Sequence, residues 1–505
     1  MKSLIMPSDM GEMEKRYFAQ TGMPSINLME RAARMLCDGI IRRYGSSRQI
    51  WFACGPGGNG GDGYACARMY AQAGGKCAVV PIAPPRSPDA IENLRLVRAM
   101  GISELNPGDL HGAPDIWVDA LYGTGLSRAP EGAAANLIER MNADHLRGSA
   151  VVAVDIPSGL NGATGSAWRP CVRADLTITF QFAKAGHFLG DGLDMCGCLE
   201  VADIGIPPAY YPDHLIGLVD DAELREALPA RPRNIHKGNC GHLLIVAGSQ
   251  GMAGAAVLCV QAALRSGVGL ATIACPQSIV PILQTLAPCA MCLPLPEKNG
   301  ALSKEAVEPL KGALKGKTAA VCGCGLSRQT DPEIVRLMLS SGLPVLFDAD
   351  ALNLIAGDCS MQANLLRPHH LITPHPGEAA RLLGRAVIDP IGDALALRER
   401  QCQVLLKGAT CVIPGEDRVY LSASGCCGMA RGGSGDILSG IIGALLAERA
   451  AGPEPLCGAV IAKCAAVGSE LHGLAGELAQ KRYGARGMCS QDIVEALPEV
   501  LKRYE

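Results

Sequence analysis

Short apolar runs alternate with glycine-rich turns and amphipathic stretches along the whole chain, and this alternation predicts parallel sheets covered by helices on both faces. In the first half, a helical segment around Met13 to Tyr44 precedes apolar strands at Ile50 to Ala53, Cys77 to Ile82, Ile116 to Ala120 and Val151 to Ile156. From Ile206 to Arg233 the periodicity fades and Pro207, Pro208, Pro212, Pro229 and Pro232 accumulate, which predicts a domain boundary. The second half opens with a strand at Gly241 to Ala247 and a helix at Ala255 to Ser266. Further strands are expected at Ala319 to Cys322, Val345 to Asp348, His370 to Thr373, Val404 to Leu406 and Thr410 to Pro414. Strands buried on both faces read as continuous apolar runs, as these do. Near the end, Ile437, Leu438, Ile441, Ile442, Leu445 and Leu446 stand at helical spacing and predict a buried helix. The expected fold class is α/β with two domains, residues 1–217 and 225–505, and no sequence self-similarity between them.

Composition narrows the function more than the fold. The 505 residues suffice for two or three full cores, and 19% charged residues with a net charge of −3 leave no electrostatic footprint for nucleic acid or an anionic membrane. No charge-free apolar run reaches the ~18 residues of a membrane span, and Met1 to Met10 lacks the pattern of a signal peptide. A cytoplasmic protein is expected. The 22 cysteines include no Cys-x-x-Cys pair and no histidines at zinc spacing, so they are read mostly as reduced thiols filling core positions.

Candidate chemistry gathers after the strands, where open parallel sheets bind ligands. In the second half four polar clusters qualify: Asp348-Ala349-Asp350-Ala351-Leu352-Asn353, Thr373-Pro374-His375-Pro376-Gly377-Glu378, Leu406-Lys407-Gly408-Ala409-Thr410, and Gly432-Gly433-Ser434-Gly435-Asp436. The last joins a glycine turn to the start of the predicted helix, where unpaired N–H groups and the positive end of the helix dipole favour a phosphate. Each cluster also has a plain structural reading: Asp436, Asp348 or Asp350 as a helix cap, His375 and Glu378 as a Pro-initiated helix start, Lys407 as a surface lysine.

Taken together and in this order, the four motifs resemble the ADP-dependent NAD(P)H-hydrate dehydratases, a family with a ribokinase-like fold, from about His236 to the C-terminus. The resemblance implies removal of water from the 6-hydroxyl of hydrated NADH or NADPH while ADP, with Mg2+, is split to AMP and phosphate. It implies that Asp436 acts as general base, that Gly433 to Gly435 cradle the transferring phosphoryl group, and that Lys407, Gly408, Ala409, Thr410, Cys411 and Gly435 contact the adenine nucleotide. Ala255, Gly325, His375 and Asp436 would contact the hydrated substrate. The chain departs from the family at Gly425-Cys426-Cys427-Gly428-Met429-Ala430, where a Gly-Asn-Pro segment is usual, and carries a large Arg431 beside it.

In the first half, Gly58-Asn59-Gly60-Gly61-Asp62-Gly63 follows a strand as a nest of backbone donors. It is joined by Asp119-Ala120-Leu121-Tyr122-Gly123-Thr124-Gly125-Leu126, by Val154-Asp155-Ile156-Pro157-Ser158-Gly159 and by Thr179-Phe180-Gln181-Phe182-Ala183-Lys184-Ala185-Gly186-His187. This set resembles the NAD(P)H-hydrate epimerases over about residues 1 to 215, with Gly58 where that family commonly has asparagine. The resemblance implies interconversion of R- and S-hydrates, with K+ held by Asn59, Asp119 and Ser158. It implies a substrate site formed by Gly58, Asn59, Gly60, Gly61, Asp62, Gly123, Thr124, Gly125, Leu126, Ser127, Arg128, Ala129 and Asp155. Asp155 and Lys184 are the acid–base candidates, against a plain reading as a turn cap and a solvated lysine. Partners would be NADHX, NADPHX and ADP, with no nucleic acid or membrane, in a homo-oligomer. Two alternatives stay open: a ribokinase-like small-molecule kinase with an attached binding domain, and a first half that binds without catalysing.

Overall fold

The computed structural model describes residues 2–364, 367–454 and 456–504, which form two compact units, one spanning Ser3–Ile216 and the other running from Gly217. Both are α/β. No helix among the described residues is long and apolar enough to cross a membrane.

The first unit is built on seven parallel strands in the order Ser103–Glu104, Lys76–Pro81, Gln49–Cys54, Ile116–Ala120, Ala150–Val154, Leu176–Phe180, Cys198–Ala202. Alternate residues face opposite cores: Ile50, Phe52 and Cys54 pack into one, Trp51 and Ala53 into the other, as the period of two requires for a doubly covered sheet. The strand order reverses between Gln49–Cys54 and Ile116–Ala120, and a crevice opens at the carboxyl ends of these two strands. The helical segment expected at Met13 to Tyr44 is two helices, Pro7–Thr21 and Ser25–Tyr44; Gly22 ends the first in a left-handed conformation at φ 67° and Pro24 caps the second. The strand Lys2–Ile5 pairs in parallel through Leu4 and Ile5 with Ala183 and Lys184, which fixes the backbone of that lysine.

The second unit repeats the plan with a different sheet: Met291–Leu295, Leu270–Pro276, His242–Val246, Ala319–Cys322, Val345–Phe347, His370–Ile372 and Gln403–Val404, all parallel. Its reversal lies between His242–Val246 and Ala319–Cys322. Over this point lies the 17-residue helix Ser434–Ala450, buried along most of its length from Ile437 to Ala447 and longer than its apolar pattern predicts. Neither the strands Leu270–Pro276 and Met291–Leu295 nor the 26-residue helix Gly458–Tyr483 belongs to the elements expected from sequence. The proline-rich stretch, expected to lack periodic structure, holds the strand Ile216–Leu218 and the helix Asp221–Ala227, whose N-cap Asp220 and Glu223 close a capping box. More than half of the cysteines are buried, among them Cys54, Cys66, Cys259, Cys322 and Cys324, consistent with use as small core residues.

Candidate active sites

The crevice of the first unit is a cleft of about 550 Å³ lined by Gly58, Asn59, Asp62, Gly123 to Arg128, Asp155 and Lys184, joined by Glu14 from the helix Pro7–Thr21. Of the expected substrate residues, Gly60 and Gly61 lie buried beneath this surface and Ala129 lies outside the lining. Gly58 to Asp62 form the first turn of the helix Gly58–Gln72, whose N-cap Gly57 has no side chain to satisfy the free N–H groups. A Cβ on Gly60 would stand 1.9 Å from the Gly55 carbonyl oxygen, so only glycine lets the helix start this close to the strand.

Lys184 is not a solvated lysine; it is 1% exposed. Its ammonium is ion-paired with the Asp155 carboxylate and donates to Thr179 Oγ1 at 2.9 Å and the Phe180 carbonyl at 3.3 Å. Asp155 sits in a left-handed turn at φ 64°, rare for a residue with a side chain. The turn is held by its N–H to the Ile178 carbonyl at 2.8 Å and by His187 Nε2–H donating to its own carbonyl at 3.0 Å. Burial alone would raise the Asp155 carboxyl, but the Lys184 charge and the hydrogen bonds from Lys184 and Thr179 outweigh it and hold it below the usual carboxylate range. His187, pushed down to about 4 by burial and by Lys184, is a neutral strut.

Of the expected cation ligands Asn59, Asp119 and Ser158, the last two are bonded to each other. Ser158 Oγ donates to Asp119 Oδ1 at 2.6 Å and Ser158 N–H to Asp119 Oδ2 at 2.7 Å, while Leu121 N–H donates to Oδ1 at 3.2 Å. Gly123 lies against the amide of Asn59; a Cβ on this glycine would stand 3.4 Å from Asn59 Oδ1. Asp119 is fully buried, with no ion pair to a basic side chain among the described residues, and burial pushes its carboxyl up to about 6.

In the second unit the Asp436 loop meets residues from three other strand ends. Gly433 caps the helix Ser434–Ala450 at φ 95°, and a Cβ there would meet Leu258 Cδ1 at 2.5 Å. Asp436 is the third residue of the helix; the N-cap is Gly433 and no side chain caps it, so Asp436 is no cap, and of the first-turn N–H groups that of Ser434 donates to the Arg431 carbonyl at 3.5 Å. Burial first, and then the neighbouring charge of Asp348, push the Asp436 carboxyl up to about 6, against a hydrogen bond from Cys324 and the charge of Lys407.

Lys407 is largely buried and belongs to other carboxylates. Its Nζ lies 2.6 Å from Asp348 Oδ1 and 3.9 Å from Glu378 Oε2, and burial, which disfavours its charge, is overcome by these two groups so that its ammonium is held above its ordinary value. A Cβ on Gly435 would lie 3.5 Å from the same Nζ. Asp348 caps the helix Ala349–Ala356 through Ala349 N–H at 2.8 Å and also accepts from Ser439 Oγ at 2.7 Å; capping and site-building are one role here. His375 caps Pro376–Leu383, accepts from Gly377 N–H at 3.0 Å and shares a capping box with Glu378. Thr410 is buried, Gly408 and Ala409 are exposed, and Cys411 begins the strand Cys411–Pro414. Ala255 and Gly325 face each other, the latter next to Cys324; a Cβ on Gly325 would stand 2.8 Å from that of Ala255. The departing segment is anchored: Cys426 Sγ donates to the Gly476 carbonyl at 3.3 Å, and Arg431 donates to the carbonyls of Gly428 at 3.0 Å and of Ala485 and Arg486 at 2.9 Å.

Ser439, Cys324 and Glu14 join these sites without having been singled out by sequence. Glu14 had a signal: it stands four residues after the buried Met10, on the inward side of its helix. Cys324 and Ser439 had none, since only tertiary folding brings them to Asp436 and Asp348.

A cleft with a buried lysine–carboxylate pair in one unit, and a glycine-rich helix start with a raised carboxyl in the other, are the arrangement of a two-domain α/β enzyme. The family described as NAD(P)H-hydrate dehydratase matches residues 243–499, and that described as YjeF-related protein N-terminus matches residues 25–186. The bifunctional NAD(P)H-hydrate repair enzyme Nnr of Moorella thermoacetica is 37% identical over 529 aligned positions, covering 99% of this chain and 97% of that one. Its counterpart from Escherichia coli K12 is 33% identical over 95% of this chain and 90% of its own. The ADP/ATP-dependent NAD(P)H-hydrate dehydratase of Bacillus subtilis, crystallised with ATP and Mg2+, is 28% identical with a TM-score of 0.47, covering 57% of this chain and 99% of that one. The chain belongs to the family of bifunctional NAD(P)H-hydrate repair enzymes. Similarity over nearly the whole chain favours this reading over a small-molecule kinase with an attached binding domain.

Proposed function

We propose that residues 1–217 interconvert the R- and S-hydrates of NADH and NADPH, and that residues 225–505 dehydrate the S-hydrate at the expense of ADP, releasing AMP and phosphate. The observation that carries this is the pairing of an uncapped helix start at Ser434 with a carboxyl raised to about 6 at Asp436. Hydroxide is a poor leaving group; phosphorylation turns it into a good one. Asp436 accepts the C6 hydroxyl proton as that oxygen attacks the β-phosphoryl group of ADP, a general-base contribution of typically ~10²–10⁴-fold. The N–H groups of Gly433 to Gly435 hold the phosphoryl oxygens, with Lys407 close behind Gly435. AMP leaves. The phosphate then departs from C6 as the ring N1 lone pair forms a double bond to C6, and loss of a C5 proton restores the dihydronicotinamide. Lys407 to Cys411 and Gly435 form the nucleotide side, and Ala255, Gly325, His375 and Asp436 the hydrate side.

Magnesium would enter with ADP, needing few protein ligands besides phosphate and water. Asp436 stays free of the metal in this reading, as a general base must. In the first unit, Asp119, Ser158 and Asn59 fit K+: all can offer oxygen, and a buried carboxylate without a basic partner wants a positive charge. Potassium bound there would supply that charge. Asp155, kept anionic by Lys184, and Lys184 itself serve the proton transfers of water loss and return at C6.

The test is recovery of dihydronicotinamide absorbance from the R-hydrate with and without ADP. Recovery that requires ADP and consumes both epimers is expected. Recovery confined to the S-hydrate would leave the first unit without catalysis, and no recovery would overturn the proposal.

A further inference from the structure

The cleft of the first unit holds more carboxylates than the reading above uses. Glu14 reaches it from the helix Pro7–Thr21, Asp62 from the helix Gly58–Gln72, and Asp155 from the turn after the strand Ala150–Val154. One buried lysine faces them, and it is committed: Lys184 is ion-paired with Asp155 and bonded to Thr179 and Phe180. Arg128 lines the cleft from the loop after Ala120, and Asp89 acts on Asp62 from the helix Pro88–Ala99. No ion pair to Glu14 exists among the described residues.

We infer that Glu14 is a further acid–base residue of the epimerase cleft, giving a proton to the C6 hydroxyl as it leaves while Asp155 takes one from the water that returns. This rests on the epimerase reading. Interconversion of two epimers through loss and return of water needs one group to donate and another to accept, and then the reverse. The carboxyl proton of Glu14 passes to the C6 hydroxyl; the C6–O bond breaks with its electrons leaving on water; the N1 lone pair forms the N1–C6 double bond. Water then adds to the other face of C6, the N1–C6 π electrons return to nitrogen, and the proton lost from that water goes to Asp155. In the opposite direction Asp155 donates and Glu14 accepts.

The surroundings divide the roles the same way. Burial and the negative charge of Asp155 raise the Glu14 carboxyl, more than the charge of Lys184 lowers it, whereas Lys184 keeps Asp155 ionised. Two carboxyls pushed apart in this way are an acid and a base. Asp62 is likewise pushed up, by burial first and then by the charges of Asp155 and Glu14.

The experiment is the rate of R-to-S interconversion by the full chain and its Glu14→Gln variant, as kcat and KM across pH. The expected result is a fall in kcat of about 10²-fold or more at nearly constant KM, with the alkaline limb of the wild-type profile absent from the variant. Glu14→Asp should restore part of the rate. An unchanged kcat for Glu14→Gln, or a reduced kcat with the alkaline limb intact, overturns the inference while leaving the epimerase reading in place. A wild-type chain that does not interconvert the epimers overturns both.

Discussion

Each unit sets a largely buried lysine near the carboxylate proposed to react, but the lysine has a different partner in each. In the first unit Lys184 is bound directly to Asp155 and holds that carboxyl below its ordinary value. In the second, Lys407 is paired with Asp348 and Glu378, and for Asp436 burial and the charge of Asp348 outweigh the more distant Lys407, so that it rises to about 6. The difference suits the chemistry. A base that removes a proton from an alcohol gains driving force from a raised pKa, provided the working pH lies above it. An ionised residue that receives a proton from returning water needs its charge secured before the substrate arrives. Placement of one lysine, rather than the choice of the acidic residue, separates the two sites.

The largest expected effect breaks the second site alone. Asp436→Asn keeps the shape of the helix start but cannot accept a proton, so ADP-dependent recovery from the S-hydrate should fall by ~10²–10⁴-fold while epimer interconversion continues. Recovery at the wild-type rate would remove Asp436 as the base. Next, Lys184→Met strips Asp155 of its counter-charge. Loss of one partner from a buried ion pair costs about 3–5 kcal/mol, measurable by denaturant unfolding of the first unit, and the Asp155 carboxyl should rise because burial is then opposed only by weaker partners. Epimerisation should be lost at neutral pH, and retention of both stability and rate would count against the pairing. The smallest effect sharpens the second site. The Cys324 thiol beside Asp436 lowers that carboxyl, so Cys324→Ala should move the acid limb of dehydration upward by less than about one pH unit. A downward shift would show that the thiol does not act on Asp436.

Central strands were the most legible part of the fold. Ile116–Ala120 and Ala319–Cys322 have the bounds expected from their apolar runs, because a strand covered on both faces has no polar alternation to blur it. The edge strand Cys198–Ala202 carries Glu200 and was not legible. Nor was the helix Gly458–Tyr483, rich in alanine and glycine and buried along much of its circumference, which leaves little contrast between faces. Site motifs at strand ends were legible because each is local. Their wiring was not: Lys407 and Asp348 are 59 positions apart, and nothing in either motif says that this lysine serves Asp348 rather than Asp436. His375 and Asp348 looked like helix caps and are caps, yet Asp348 also holds Lys407 and Ser439.

The most direct test of the comparison is the pH dependence of both reactions on one preparation of the chain. Below its pKa the Asp436 carboxyl holds its proton and cannot take another, so dehydration should fall tenfold per unit once pH drops beneath about 6. Asp155, held low by Lys184, should stay ionised through that range, so the acid limb of epimerisation should lie at distinctly lower pH. Dehydration that stays flat well below pH 6, or acid limbs that coincide for the two reactions, would contradict the division of roles set by the two lysines.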